Sequence, residues 1–477
     1  MTPVQGLAMR CILPGFEGAT APDWVRRRAA EGLGGVALFG RNVESREQVR
    51  RLTESLHAER RGLLIAIDEE GGEVTRLEAT TGSSYPGNLA LGYAGDVRLT
   101  AEVAAAIGAE LASLGIDLDL APVADVNTDP MNPVIGARSF GSDPRAVAAH
   151  TAAWVEGLQR AGVGACAKHF PGHGDTNVDS HVALPVAGED PHARALDPFR
   201  AAIDSDVKAI MSAHIVVPTV DEAPATISRR IMTGMLRDEL GFKGLAVSDG
   251  LEMRGLAGDR GVPEAAVLAL AAGCDALVIG GGLCDEATVL EIARAVAVAV
   301  GEGRLPEERL VEAASRVDEL ADWLSSPLMG DGSSPFMGKY PAKPGDGAAL
   351  QAARRAICAE GLVHVGESAV VVRMPSPSSI AAGDVPWGMA AALRACGVHV
   401  TESDVEIGGQ GLVIAVRDLH RQPENQRAVE ALLARRPDAV VVEMGVPAYR
   451  PRGAGAYIAT HGSARVCAQA AAELVTS

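Results

Sequence analysis

The chain is expected to fold as two α/β domains, a (β/α)8 TIM-type barrel followed by a smaller α/β sandwich domain. Three observations point that way. Short apolar runs alternate with Ala-, Leu-, Arg- and Glu-rich segments of helical periodicity, seven or eight times before about residue 320. Apolar strands alternating with helices imply a parallel sheet. Reactive residues end several of these runs, whereas an open sheet would concentrate them at one switch point; a barrel gathers them on one rim. Finally, "SSPLMGDGSSPFMGKYPAKPGDG", from Ser325 to Gly347, is crowded with Gly, Pro and Ser and reads as a linker.

Taken in order, the predicted strands are "GVALFGRN" from Gly35, "LLIAIDEEGG" from Leu63 and "IDLDLAPVADV" from Ile116. "GACAKHF" from Gly164, "KAIMSAHI" from Lys208, "LAVSDG" from Leu245 and "DALVIGGG" from Asp275 follow. Segments such as "TAEVAAAIGAELASLG" supply the helices between them. Polar residues mark where the strands stop: Asp68, Lys168 with His169, His214 and Asp249. The barrel domain is assigned to residues 1–324 and the linker to 325–347. Residues 348–477 form the second domain: "AALQAARRAICAEGL" reads as helical, "AVVVRM", "GLVIAV" and "DAVVVEMGVP" as strands, and "SARVCAQAAAELV" as a final helix. There is no internal repeat and no low-complexity tail.

Composition limits the function classes. Hydrophobic residues make up 47% and charged residues 22% of 477 residues, the balance of a globular protein. Aromatics are only 3%, so Ala, Val, Leu and Ile must build the core. A formal net charge of −18 argues against nucleic acid or an anionic membrane as partner. No apolar stretch reaches the ~18 residues of a membrane span, and no signal peptide is evident. The seven cysteines are odd in number, show no CxxC spacing and mostly sit in apolar surroundings, so they read as buried free thiols. A cytoplasmic enzyme is the expectation.

Several positions invite chemistry. "KHFPGHGDTNVDSH" packs three histidines, two aspartates and a lysine between Lys168 and His181. His169, His173 and Asp175, with Asp179 and His181, are compatible with a metal site. "DSH" equally places a carboxylate two residues from an imidazole, the makings of a proton relay; an inert tight loop is the third reading. Asp249, directly after a buried strand, suits attack on an anomeric carbon, or merely caps the next helix. Asp68 and Arg76 span a Gly-Gly turn, and Arg138 lies in the loop of "NPVIGARSF"; such groups hold hydroxyls or form surface ion pairs. "GGG" at Gly280–Gly282 lacks phosphate-loop spacing and reads as a turn. Glu443 ends a strand of the second domain, where capping or packing is expected of it.

Together these stretches resemble glycoside hydrolase family 3, in its β-N-acetylglucosaminidase branch. "LPGFEG", "GGVALFGRN", "IDEEGGEVTRL", "APVADVN", "NPVIGARSFG", "KHFPGHGDTNVDSHVALP", "IMSAHI", "PATIS" and "GFKGLAVSDGLEM" occur in family order across the first domain. The "KHFPGHG…DSH" loop is the branch's hallmark. The second domain resembles that of two-domain members. The resemblance implies that Asp249 is the nucleophile, His181 the acid/base and Asp179 its dyad partner. It implies that Asp68, Arg76, Arg138, Lys168 and His169 bind the non-reducing-end N-acetylglucosamine. His173 is then expected to shape the loop rather than to react. The implied activity is retaining exo-β-N-acetylglucosaminidase on muropeptides or chitooligosaccharides, with no metal or organic cofactor. A β-N-acetylglucosaminide phosphorylase and a catalytically silent sugar-binding barrel are the alternatives. The chain departs from the family where it reads "DEEGGEV", so Glu69 and Glu73 are expected to add negative charge near the mouth, and where Gly250 follows Asp249. The oligomeric state is open.

Overall fold

A computed structural model describes residues 1–176, 178, 184–258, 260–280, 284–326, 347–403 and 411–477. Eight parallel strands form the first domain: β1 (Ile12–Pro14), β2 (Gly35–Leu38), β3 (Leu64–Ile67), β4 (Leu118–Asp119), β5 (Gly164–Phe170), β6 (Ala209–Ser212), β7 (Leu245–Val247) and β8 (Leu277–Ile279). β2 to β7 make one continuous parallel ladder, and β1 pairs with β8. A Val247–Ala276 bridge joins β7 to the β8 edge. Gly34 N donates to Met9 O at 3.0 Å across the remaining seam, between the chain entering β2 and the chain entering β1. The result is a barrel ringed by helices.

Burial explains why the strands read as unbroken apolar runs. Leu64 and Ala66 point into the barrel with Leu118, Cys166, Ala209, Met211, Leu245 and Val278. Their neighbours Ile65 and Ile67 point outward, to pack with Val155, Leu158 and Leu111 from the helices. With both faces covered, the two-residue alternation of polarity disappears. Helices start where side chains can satisfy their first N–H groups: Ser45 accepts from Gln48, Asp143 from Arg145 and Ala146 ahead of Pro144, and Asp285 from Thr288. β1 was not among the predicted strands, because three residues between two turns carry too little periodicity to read.

The second domain is a six-stranded sheet: β9 (Cys358–Glu360), β10 (Ser368–Arg373), β11 (His399–Glu402), β12 (Gly411–Val416), β13 (Val440–Glu443) and β14 (Ala456–Ala459), in spatial order β9-β14-β13-β12-β10-β11. All pairings are parallel except β9 with β14. Val371, Val413 and Val442 pack on one face, Val372, Leu412 and Val441 on the other. Here one expectation is corrected. The helix begun by "AALQAARRA" stops at Ala356, and Cys358–Glu360 forms the antiparallel edge strand, because Cys358 to Glu360 can pair with Ala459 to Tyr457. β11 and β14 were also missed. Glu443 does cap: its carboxylate accepts from the backbone of Asp418, Leu419 and Gly445. The linker expected at 325–347 falls, from 327 to 346, outside the described residues.

The two domains meet beside the barrel's C-terminal rim. Arg465 reaches Glu78 at 3.0 Å and Ser84 Oγ at 2.6 Å. Arg421 donates to Asn132 O, and His420 to Pro130 O. Tyr93 stacks on His461 with ring centroids 3.6 Å apart. The contacted loops are those that follow β3 and β4, which also carry Arg76 and Arg138. All seven cysteines are free, five of them buried. No helix among the described residues is long and apolar enough to cross a membrane.

Candidate active site

The C-terminal ends of the barrel strands open into a cavity of about 650 Å³. β3 delivers Asp68, β5 delivers Lys168 and His169, and β7 delivers Asp249; Arg76 and Arg138 come from the loops after β3 and β4, and all six line the cavity. Residues far apart in sequence thus converge because parallel strands end on one rim.

At the floor lies a ladder of alternating charge. Lys168 Nζ is 2.7 Å from both Asp68 Oδ1 and Glu70 Oε1. Arg138 grips Glu70 with two bonds, Nε to Oε2 at 3.0 Å and Nη2 to Oε1 at 2.8 Å. Arg76 Nη2 lies 3.5 Å from Asp68 Oδ2. Lys168 and Glu70 are each only 2% exposed. Burial alone would raise the pKa of Asp68, but Lys168 and Arg76 hold it below the usual range. Burial would do the same to Glu70, and Arg138 and Lys168 outweigh it more strongly still. Lys168 is correspondingly pushed up by the two carboxylates against its own burial. The ladder is a fixed array of donors and acceptors, suited to holding several hydroxyls in one geometry. Glu70 was not among the predicted site residues. Its only signal was a second glutamate in "DEEGG", indistinguishable there from Glu69.

A second layer orients the β5 histidines. Buried Asp125 accepts from His169 Nδ1 at 2.7 Å and from the backbone of His173 at 2.6 Å. Burial would raise its pKa, but His169 and the backbone N–H of His173 hold it below its ordinary value. His169 therefore carries its Nδ1 proton towards Asp125, leaving Nε2 as its remaining polar atom. His173 Nδ1 meets Thr176 Oγ1 at 2.6 Å, and burial lowers its pKa to about 4, so the ring is neutral. The PGHG turn needs its glycines: Gly172 has φ +124°, and a Cβ on Gly174 would collide with Val126 O.

Asp249 is half-buried and its Oδ1 accepts from Gly250 N at 2.7 Å. It does not cap the next helix, which begins at Arg254 without a side-chain cap. His214, buried at the end of β6, donates from Nε2 to Gly250 O at 2.9 Å and so anchors the peptide that follows Asp249. Its position in "SAHI" was visible in the sequence; its target was not. Asp179 and His181 lie outside the described residues, as do Gly281 and Gly282. The Asp175 carboxylate accepts from the backbone of Gly188 and Glu189. Among the described residues no group of three or more His, Cys, Asp or Glu is arranged to hold a metal ion.

For Glu69 the expectation of added charge near the mouth is corrected; Glu73 stands behind Arg138. Neither lines the cavity. Glu69 is buried and accepts from the backbone of Arg76 and Leu77, and burial pushes its carboxyl up to about 7. It builds the turn that presents Arg76. The Glu73 carboxyl is raised by burial and by the charge of Asp418 in the second domain.

A parallel barrel whose rim gathers a strand-end carboxylate and a buried carboxylate–cation ladder is the framework of a barrel enzyme. Residues 19–320 match the glycosyl hydrolase family 3 N-terminal domain, and the chain belongs to glycosyl hydrolase family 3. It is 36% identical over 317 residues to Beta-hexosaminidase A of Pseudoalteromonas piscicida, covering 60% of this chain and 53% of that protein. The chain therefore spans about half the length of that relative. It is 40% identical to a Beta-hexosaminidase of Alkalilimnicola ehrlichii over 52% of this chain and 73% of that one. A solved family 3 β-N-acetylglucosaminidase from Paenibacillus sp. str. FPU-7 superposes with a TM-score of 0.85 at 31% identity, covering 100% of this chain and 97% of that one.

Proposed function

We propose that this chain is a retaining exo-β-N-acetylglucosaminidase that releases terminal N-acetylglucosamine from muropeptides or chitooligosaccharides. The observation that carries the reading is the convergence of Asp249 with the Asp68–Lys168–Glu70–Arg138 ladder in one cavity. Beta-hexosaminidase is what the relatives are called, and a whole-length structural neighbour is a β-N-acetylglucosaminidase.

In this reading the ladder and His169 hold the hydroxyls of the terminal sugar. Asp249 attacks the anomeric carbon; the glycosidic bond breaks as His181, oriented by Asp179, gives its proton to the departing oxygen. The sugar is then an ester of Asp249. Neutral His181 next takes a proton from water, the hydroxide oxygen bonds to the anomeric carbon, and the carboxylate leaves. Two displacements retain configuration.

Asp249→Asn removes nearly all turnover while the fold survives, since an amide cannot form the ester. A slow 2-fluoro sugar substrate should leave its mass on a peptide containing Asp249 in the wild type. A label on any other residue, or inverted product, overturns the assignment. Formation of sugar 1-phosphate when phosphate is supplied would make the enzyme a phosphorylase instead.

A further inference from the structure

The cavity has a wall that the barrel does not supply. The loop between β10 and the helix Ala390–Ala395 runs back over the rim, and residues 380–385 line the same cavity as Asp249. The loop is anchored at both ends. At its base Arg417 donates to Ser376 O at 3.3 Å and Pro377 O at 3.1 Å, and Asn425 donates to Pro375 O at 2.7 Å. The guanidiniums of Arg373 and Arg417 sit 5.3 and 4.9 Å from the Trp387 ring centre. At the far end Pro386 lies against the barrel: a Cβ on Gly82, which has φ +80°, would be 3.0 Å from Pro386 O. The tip is a tight turn, with Gly383 N donating to Ser379 O and Ala382 N to Ser379 Oγ.

Its apolar side chains divide. Ala382 and Val385 are buried, whereas Ile380 is 60% exposed. Because Ile380 also lines the cavity that holds Asp249, its aliphatic side chain is within reach of whatever occupies the mouth. The floor of the cavity is charged and suits the hydroxyls of the terminal sugar. The ring beyond the scissile bond must leave by the mouth, and the C–H face of a sugar ring is the complement of an aliphatic side chain.

We infer that Ile380, on this loop of the C-terminal domain, is a specificity-determining residue that receives the apolar face of the sugar on the leaving side of the bond. The inference rests on the glycosidase reading above. It assigns the second domain a share in substrate choice: the barrel reads the sugar to be released, and the second domain reads what it is attached to.

The test compares two substrates that differ only beyond the bond, methyl β-N-acetylglucosaminide and the β-1,4-linked disaccharide of N-acetylglucosamine. Ile380→Ser should raise KM for the disaccharide about 3–10-fold, part of the ~10–200-fold carried by a methylene in an enclosed pocket, with kcat within twofold. KM for the methyl glycoside and inhibition by free N-acetylglucosamine should not move. Ile380→Leu should restore the disaccharide KM. Gly82→Val, which pushes on Pro386 without touching the tip, should reproduce the selective loss; urea unfolding confirms that each variant is folded. Equal effects on both substrates, or an unchanged disaccharide KM in Ile380→Ser, overturn the inference. Calorimetric binding of disaccharide and monosaccharide to the Asp249→Asn protein, with and without Ile380→Ser, reads the same difference without turnover. A wild type that hydrolyses neither substrate, with the binding difference intact, sinks the glycosidase reading and leaves the role of Ile380 standing; loss of that difference sinks the inference alone.

Discussion

Replacing Glu70 by Gln removes one negative charge from the least accessible part of the site and keeps its volume. In the wild type two carboxylates, Asp68 and Glu70, face three cations, Arg76, Lys168 and Arg138. The variant leaves one carboxylate for the same three. Arg138 loses its two-bond partner, and the amide N–H₂ of Gln must face a guanidinium or an ammonium. Three charge-assisted bonds are affected, at 2.7, 2.8 and 3.0 Å. Each is worth about 1.5–3 kcal/mol, and one acceptor oxygen survives. Breaking one partner of a buried ion pair costs about 3–5 kcal/mol, which is the expected loss of stability. Lys168 also loses one of its two tethers, and under its proposed role of holding the sugar a ~1 Å displacement lowers kcat/KM by about 10²-fold. Urea unfolding at pH 7 measures the first effect and turnover of nitrophenyl N-acetylglucosaminide the second. The pH dependence is a further check. The folded pKa of Glu70 lies below its ordinary value of 4.5, so its contribution is complete above pH ~4.5 and shrinks as pH falls below it. The wild type should therefore exceed the variant by a constant margin from pH 6 to 8 and converge on it in acid. A loss under 1 kcal/mol with kcat/KM within threefold would refute the ladder as the organiser of the site.

His181→Ala should slow natural substrates far more than an activated nitrophenyl glycoside, since a general acid is worth about 10²–10⁴-fold only when the leaving group is poor; azide should then restore turnover of the activated substrate, and equal losses without rescue would clear His181 of the role. Asp125→Asn should raise KM rather than abolish kcat, because it frees the His169 ring without removing it; a pure kcat loss would contradict a positioning role. His173→Gln should leave the pH–rate profile in place, since the native ring stays neutral down to about pH 4. With its folded pKa depressed below 6.5, His173 takes up its proton only in the unfolded chain between those values, so the wild type loses stability as pH falls through that window and the variant should lose less. A shifted activity profile would point to His173 as the titrating group.

The barrel was legible because burial on both strand faces writes itself as continuous apolar runs, and strand ends announced themselves through Asp68, Lys168, His169, His214 and Asp249. The short β1, and the edge strand at Cys358–Glu360, were not legible, because a few residues hold too little pattern to outweigh their neighbours. The same distinction governs the site. The residue types and their positions at strand termini are local facts, written in order along the chain. Which carboxylate Arg138 would grip, that Asp125 lies under His169 44 residues later, that His214 anchors the peptide after Asp249, and that Ile380 arrives from another domain are consequences of barrel closure and domain docking. Glu69 and Glu70 show the reason most plainly. Adjacent and chemically identical, they point to opposite sides of one turn: one is raised by burial and supports a loop, the other is ionised between two cations. Only the three-dimensional field around a carboxylate decides its charge, and that field is made by residues remote in sequence.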